Sequence, residues 1–316
     1  MDVIVLAGGF GTRLRPWTES IPKPLLPILD KTMIEHVVGI IPESQVNRIL
    51  IAAGYGVEKM RDHFSRVKLP YEVEIIEETE PLGTGGAIVN CREYLSGGTF
   101  CVINSDLITS LRVEEMLEFH RSNGGIGTIS LWEVEDPSRF GVADYREENG
   151  KIMRFQEKPP IEEAFSNLIN AGAYILEPEI FSLMPDGAHS IERDVYEDLA
   201  ATGGLNGFPF EGWFVDAGTP RSFVEASQAC ISAGGFSSGS VDRGSWFGDG
   251  STNKGEVFSS TIGFGACIEE GSVVRDSVVL EGAEIGPNCN IEGCLIGMRA
   301  RVPEGSDLSS KIVDHG

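Results

Sequence analysis

The chain has 316 residues, 41% hydrophobic and 23% charged, the balance of a folded protein with room for one large domain and a smaller one. Its formal net charge of −23 speaks against nucleic acid as a partner, because a phosphate backbone needs a concentrated basic surface; a triphosphate stays possible, since a few Lys and Arg focused in one cleft outweigh distant acidic groups. No run approaches the roughly 18 apolar residues of a membrane span, no basic leader is recognisable, and six cysteines without a C-x-x-C pair read as free thiols in a reducing compartment. No membrane partner and a cytoplasmic location are therefore expected.

In chain order, apolar runs predict strands over 3–7, 48–53, 72–77, 99–104 and 127–133, and helical spacing predicts helices over 27–41, 57–64, 85–94 and 113–121. Such alternation predicts βαβ units and a mostly parallel sheet, with ligands at the carboxyl ends of the strands. A last helix is predicted over 219–232, and the Gly-, Ser- and Asp-rich stretch after it reads as a connector. Beyond it, apolar residues fall at Ile262, Ile268, Val274, Val279, Ile285, Ile291, Ile296, Val302, Leu308 and Val313, in steps of 6, 6 and 5 residues that recur as a 17-residue unit. Gly271, Asn288 and Gly305 keep the same register, and Gly and Asn tolerate the left-handed backbone of a sharp corner. Three short faces per turn, each with one inward apolar residue, describe a triangular β-solenoid. The expected boundaries are a large domain over 1–228, a connector over 229–258 and the solenoid over 259–316.

Directly after the first strand comes Leu6-Ala7-Gly8-Gly9-Phe10-Gly11-Thr12-Arg13-Leu14. Three glycines let the backbone approach a ligand and aim N–H groups at phosphate oxygens, and Arg13 adds a permanently charged fork. The loop is neither a Walker A motif nor the dinucleotide fingerprint, since neither Gly-Lys-Ser/Thr nor a glycine at Leu14 follows. Pro22-Lys23-Pro24 supplies a second cation in a rigid frame.

Together these two elements resemble the signature of sugar-1-phosphate nucleotidyltransferases, also called nucleotide-sugar pyrophosphorylases. The resemblance implies an α/β fold: a Rossmann-like nucleotidyltransferase domain with a mixed, mostly parallel sheet, and a short C-terminal left-handed β-helix of hexapeptide repeats. It assigns the nucleotide to Leu6, Ala7, Gly8, Gly9, Gly11 and Thr12, and catalysis to Arg13 and Lys23. Glu80-Pro81-Leu82-Gly83-Thr84-Gly85-Gly86-Ala87 is similar to the family's nucleobase loop, which adds Glu78, Pro81, Gly83 and Thr84. Asn104-Ser105-Asp106 and Trp213-Phe214-Val215-Asp216 resemble its metal elements, so Mg2+ is expected on Asp106 and Asp216. Phe155-Gln156-Glu157-Lys158-Pro159 and Asn170-Ala171-Gly172 resemble its sugar-phosphate elements, implying Asn104, Glu157, Lys158, Asn170 and Gly172 as binding residues and Lys158 as a third catalytic cation. Ser190-Ile191-Glu192-Arg193-Asp194-Val195 fits a further family element, expected to be mainly structural.

The expected partners are a nucleoside triphosphate and a sugar 1-phosphate, with a homo-oligomer formed through the β-helix. The resemblance is greatest to mannose-1-phosphate guanylyltransferases, which implies GTP and mannose 1-phosphate; UTP or dTTP with glucose 1-phosphate remains open. An acyltransferase solenoid would need a histidine base in its coils, and His315 is the sole histidine there. A non-catalytic nucleotide-sugar-binding subunit would be expected to lack the loop arginine or a metal aspartate, and this chain keeps them.

Overall fold

Nine strands build one mixed sheet: β1 (Asp2–Leu6), β2 (Arg48–Ala53), β3 (Glu72–Glu77), β4 (Phe100–Asn104), β5 (Gly127–Glu133), β6 (Gly141–Arg146), β7 (Lys151–Glu157), β8 (Leu168–Leu176) and β9 (Leu205–Pro209). Their order across the sheet is β3-β2-β1-β4-β8-β5-β9-β7-β6. The structure, a computed structural model, describes residues 1–316. Strands β3, β2, β1 and β4 run parallel, as the alternating strand and helix patterns require. Strand β8 enters antiparallel to both β4 and β5, and β7 antiparallel to β9 and β6, so the parallel part occupies mainly the N-terminal half. Ile4, Leu50, Val102, Ile129, Tyr174 and Leu176 belong to the core of this sheet and are fully buried.

The chain divides into two compact units, Met1–Gly9 with Val37–Phe214, which holds the sheet, and Phe10–His36 with Val215–Gly316. In this division the segment 10–36 goes with the C-terminal residues. The helix expected over 27–41 is revised. Pro27–Ile28 and Lys31–Thr32 pair as an antiparallel hairpin, with Leu29 in the left-handed region at φ 58°, and the helix spans only Met33–Gly39. Thr32 explains the late start, because its backbone N–H and hydroxyl both donate to the Glu35 carboxylate, which fixes the first turn there.

In the second unit, helix Pro220–Ala233 opens with a reciprocal Thr219/Ser222 capping box and ends on Gly234 at φ 66°. Three sheets then wind through the C-terminal residues, parallel throughout except at the antiparallel edge strand Ser240–Asp242. The inward residues Ile262, Ile268, Val274, Val279, Ile285, Ile291, Ile296 and Val302 are buried, as the 17-residue register predicts. Gly271, Asn288 and Gly305 take φ of 75°, 56° and 71°, the corner expected of them; Gly265, Gly282 and Arg299 form a second left-handed corner. The solenoid begins earlier than expected: Ser245–Phe247, Thr252–Asn253 and Glu256–Phe258 already form a coil, pairing in parallel with the strands of the next one. That coil escapes the sequence pattern because Thr252 and Asn253 pair with Cys267 and Ile268, putting polar Asn253 where later coils carry Ile or Val. No helix is long and apolar enough to cross a membrane.

Candidate functional site

In the first unit, Leu6 to Gly8, Glu78 and Asn104 to Asp106 lie at the carboxyl ends of the parallel strands β1, β3 and β4. Leu6 ends β1, and Ala7 continues it by donating to the Ala52 carbonyl at 2.8 Å. Gly8 follows, and a Cβ there would lie 2.9 Å from Glu78 Oε1, so the missing side chain is what lets this carboxylate pack against the loop. Glu78 is 7% exposed, its backbone N–H donates to the Ala53 carbonyl just past β2, and its Oε1 accepts no hydrogen bond. Burial raises its pKa above the ordinary 4.5, opposed by a hydrogen bond from the Leu82 backbone. Pro81 and Leu82 lead into helix Gly83–Asn90. Gly83 sits at φ 70°, and a Cβ on it would fall 2.5 Å from the His189 carbonyl oxygen. Gly85 donates to that same oxygen at 3.0 Å, and a Cβ on it would fall 2.2 Å from Cδ2 and Nε2 of the His189 ring.

Asn104 closes β4, and Asp106 occupies the two-residue turn between β4 and the short strand Leu107–Thr109. Ser105 in that turn donates to the Leu6 carbonyl at 3.0 Å, so the two loops leave the sheet side by side. Asn170 and Gly172 lie in a break in the β8–β5 register, where a bulge re-aims the strand. Gly172 takes φ 79°, and a Cβ there would lie 2.6 Å from Asn104 Nδ2, so the bulge is pressed onto Asn104. Asn170 Oδ1 accepts from the Gly172 backbone at 2.9 Å. At the end of β7, Lys158 Nζ meets Glu157 Oε1 at 2.7 Å; the Glu157 side chain is 9% exposed and the lysine half-exposed. Lys158 also stands in the left-handed region at φ 48°, a costly conformation for a non-glycine residue that clusters at functional sites.

The second unit holds the remainder. Gly11, at φ 62°, is pressed against the next element: a Cβ on it would fall 2.9 Å from both Lys23 Cβ and Thr18 Cγ2. Thr18 Oγ1 donates to the Gly11 carbonyl at 3.0 Å, so the glycine-rich turn and buried Lys23 pack together as their spacing suggests. Thr12 and Arg13 form a short 3-10 turn and are exposed. A Cβ on Gly218 would lie 2.6 Å from Arg13 Nη2 and 2.8 Å from Asp216 Oδ1, which puts the guanidinium and this carboxylate around one small space.

Comparison with known proteins decides what this arrangement belongs to. The Nucleotidyl transferase family model matches residues 2–232. The chain belongs to the nucleotidyl transferase family. A second model, the GlmU-like C-terminal hexapeptide, matches residues 237–312. The nucleotidyltransferase is 33% identical to mannose-1-phosphate guanylyltransferase 1 of Arabidopsis thaliana, over 99% of this chain and 90% of that one. A structure of a putative glucose-1-phosphate thymidylyltransferase from Bacillus anthracis superposes with TM-score 0.64 and 30% identity, covering 72% of this chain and 94% of that one. HddC from Yersinia pseudotuberculosis, complexed with GMP-PN, gives TM-score 0.61 and 31% identity over 72% and 98% of the two chains.

The donors suit a hard divalent cation. Asp106 in the first unit and Asp216 in the second each offer carboxylate oxygens, the ligand type that Mg2+ prefers, and a Cβ on Gly218 would press on Asp216 Oδ1. By its chemistry each carboxylate taken singly fits the metal. His189 escaped the sequence reading, and Glu192 makes more contacts than a mainly structural element suggests. His189 packs against the loop at Gly83 and Gly85, and buried Glu192 hydrogen-bonds Thr84 and Tyr174. Glu192 lies in the Ser190–Val195 element that the sequence singles out, whereas for His189 the sequence signal was the density of glycines at Gly83, Gly85 and Gly86, which its segment requires.

Proposed function

We propose that this nucleotidyltransferase transfers the guanylyl group of GTP to mannose 1-phosphate, releasing pyrophosphate. The observation that carries the base assignment is Glu78: a buried carboxylate in the base loop, with one oxygen accepting nothing and a pKa pushed up by burial. Guanine presents two adjacent donors, N1–H and the 2-amino group, to such an acceptor, whereas uracil and thymine present a single N3–H. The relative from Arabidopsis, a mannose-1-phosphate guanylyltransferase by name, and the GMP-PN complex of HddC support the same reading.

In the proposed reaction an oxygen of the sugar phosphate attacks the α-phosphorus in line. A new P–O bond forms as the bond to the β-phosphate bridging oxygen breaks, and the electron pair leaves with pyrophosphate. The attacking phosphate is already an anion at neutral pH, so no general base is needed. The barrier is repulsion between polyanions, which positioning and charge neutralisation lower. Arg13 is assigned to the departing pyrophosphate, Lys23 to the α-phosphate region and Lys158 to the attacking phosphate. Glu157 and the Asn170–Gly172 bulge hold sugar hydroxyls, and Asn104 orients the phosphate they carry. Asp106 and Asp216 are assigned to Mg2+, which when bound neutralises charge on the triphosphate. Self-association through the β-helix completes the proposal and is checked by light scattering.

The test is pyrophosphate release with Mg2+ across GTP, ATP, UTP, CTP and dTTP, each with mannose and glucose 1-phosphates. Release with GTP and mannose 1-phosphate well above all other pairs is expected. Greater release with UTP or dTTP and glucose 1-phosphate overturns the base and sugar assignment, and no release with any pair overturns the reaction.

A further inference from the structure

Glu192 is buried, 7% exposed, at the start of a π-helical turn, Glu192–Tyr196, a rare backbone form that concentrates at functional sites. Both its oxygens are used, and every partner is an uncharged hydroxyl. Oε2 accepts from Thr84 Oγ1 at 2.5 Å and Ser190 Oγ at 2.6 Å, while Oε1 accepts from the Tyr174 hydroxyl at 3.1 Å. Thr84 lies in the nucleobase loop, and its hydroxyl also accepts from the Ile191 backbone at 3.1 Å. On the other side the Tyr174 oxygen accepts from Asn170 Nδ2 at 3.0 Å, and Asn170 Oδ1 holds Gly172 in the bulge pressed against Asn104. One carboxylate thus connects the proposed base loop to the proposed sugar loop, with no other element between them.

Burying a carboxylate without a cationic partner is costly, and an apolar side chain of similar volume would stabilise the core at least as well. Its three hydroxyl donors instead define three fixed directions. We infer that Glu192 is a positioning residue that couples the two substrate subsites, so that ordering the base loop around a nucleotide preorganises Asn170 and Gly172 for the sugar phosphate. The inference rests on the functional reading above and concerns the energetic link between its two halves. Linkage makes the coupling reciprocal: the sugar phosphate tightens nucleotide binding by the same factor as the nucleotide tightens sugar-phosphate binding.

The experiment measures binding of the unreactive α,β-methylene analogue of GTP by calorimetry, with and without saturating mannose 1-phosphate. Where the release assay favours another pair, the analogue of that nucleotide and its sugar phosphate are used. The wild-type protein is expected to show at least about fivefold synergy, the lower end of ordinary site-to-site coupling. Tyr174→Phe, which removes one hydroxyl, and Glu192→Gln are expected to bring the synergy to less than about twofold while each ligand still binds alone. Thr84→Ser, which keeps the hydroxyl, retains it, and Thr84→Val loses it. Equal synergy in wild-type and Tyr174→Phe proteins, or none in the wild type, overturns the coupling. A wild-type protein that binds neither ligand refutes the functional reading instead, so the two failures are distinguishable.

Discussion

Replacing Glu78 by Gln tests the base assignment with little change of shape. The carboxylate is buried under Gly8, is held by the Leu82 backbone and keeps Oε1 without a donor. Two guanine N–H groups on an ionised acceptor contribute about 1.5–3 kcal/mol each. The amide keeps one acceptor and turns a donor toward the other N–H, so one bond is lost and the survivor weakens to a neutral one worth about 1 kcal/mol. The net loss of about 2–5 kcal/mol corresponds to a drop of about 30- to 5000-fold in kcat/KM for GTP. UTP, which offers a single donor, should lose far less. Steady-state pyrophosphate release with each nucleotide at saturating sugar phosphate measures both. The free protein should respond in the opposite direction: removing a desolvated carboxylate leaves the ligand-free variant at least as stable as the wild type in a thermal melt. An unchanged GTP value, or equal losses for GTP and UTP, would refute the argument.

Other perturbations probe the rest of the chain. Gly83→Ala puts a Cβ against the His189 carbonyl at φ 70°; backbone strain of about 1–2 kcal/mol plus the clash should lower the melting temperature and raise KM for the nucleotide. In the solenoid, Ile285→Ala empties a fully buried site and should cost about 2–5 kcal/mol in denaturant titration. The pKa of His36 lies below its ordinary 6.5, chiefly because burial disfavours the charged ring. In the window below 6.5 the unfolded chain binds more protons there, so His36 contributes stability at neutral pH that is lost on acidification, and His36→Gln should flatten that slope. Glu78 acts with the opposite sign: its raised pKa makes the folded state bind the extra proton, so stability falls as pH rises above 4.5, and Glu78→Gln should abolish that fall.

The fold is legible in the sequence wherever periodicity reports burial directly. Strands 48–53 and 127–133 match their apolar runs because β2 and β5 pair on both sides and are largely buried, while edge strand 72–77 matches through the alternating Glu72-Val73-Glu74-Ile75. The solenoid is legible from Ile262 onward, since each 17-residue coil repeats the same three inward positions. Strands β6, β7, β8 and β9 were not legible. Apart from the β6–β7 hairpin, their order in space, β8-β5-β9-β7-β6, is built from long-range pairing, antiparallel for β8–β5 and β7–β9 and parallel for β5–β9, that no local pattern encodes. The Pro27–Thr32 hairpin was hidden because Ile28, Leu29, Met33 and Ile34 mimic a helical face, while the deciding Thr32–Glu35 hydrogen bonds are local polar chemistry.

For the site, the motifs locate the loops but not the reasons for their glycines. Gly83 and Gly85 look like residues kept small for a base, yet in the structure both are confined from the protein side: Gly83 by the His189 carbonyl and Gly85 by the His189 ring. Substituting Gly85 therefore perturbs the platform packed against the loop before any ligand is involved. The same platform carries Ser190 and Glu192, and through Glu192 Oε1 it reaches Tyr174 and the Asn170 bulge. A short segment that reads as structural thus bears on both halves of the proposed chemistry. Its importance depends on burial and on which hydroxyls face one carboxylate, and neither is visible until residues 84, 174 and 192 come together.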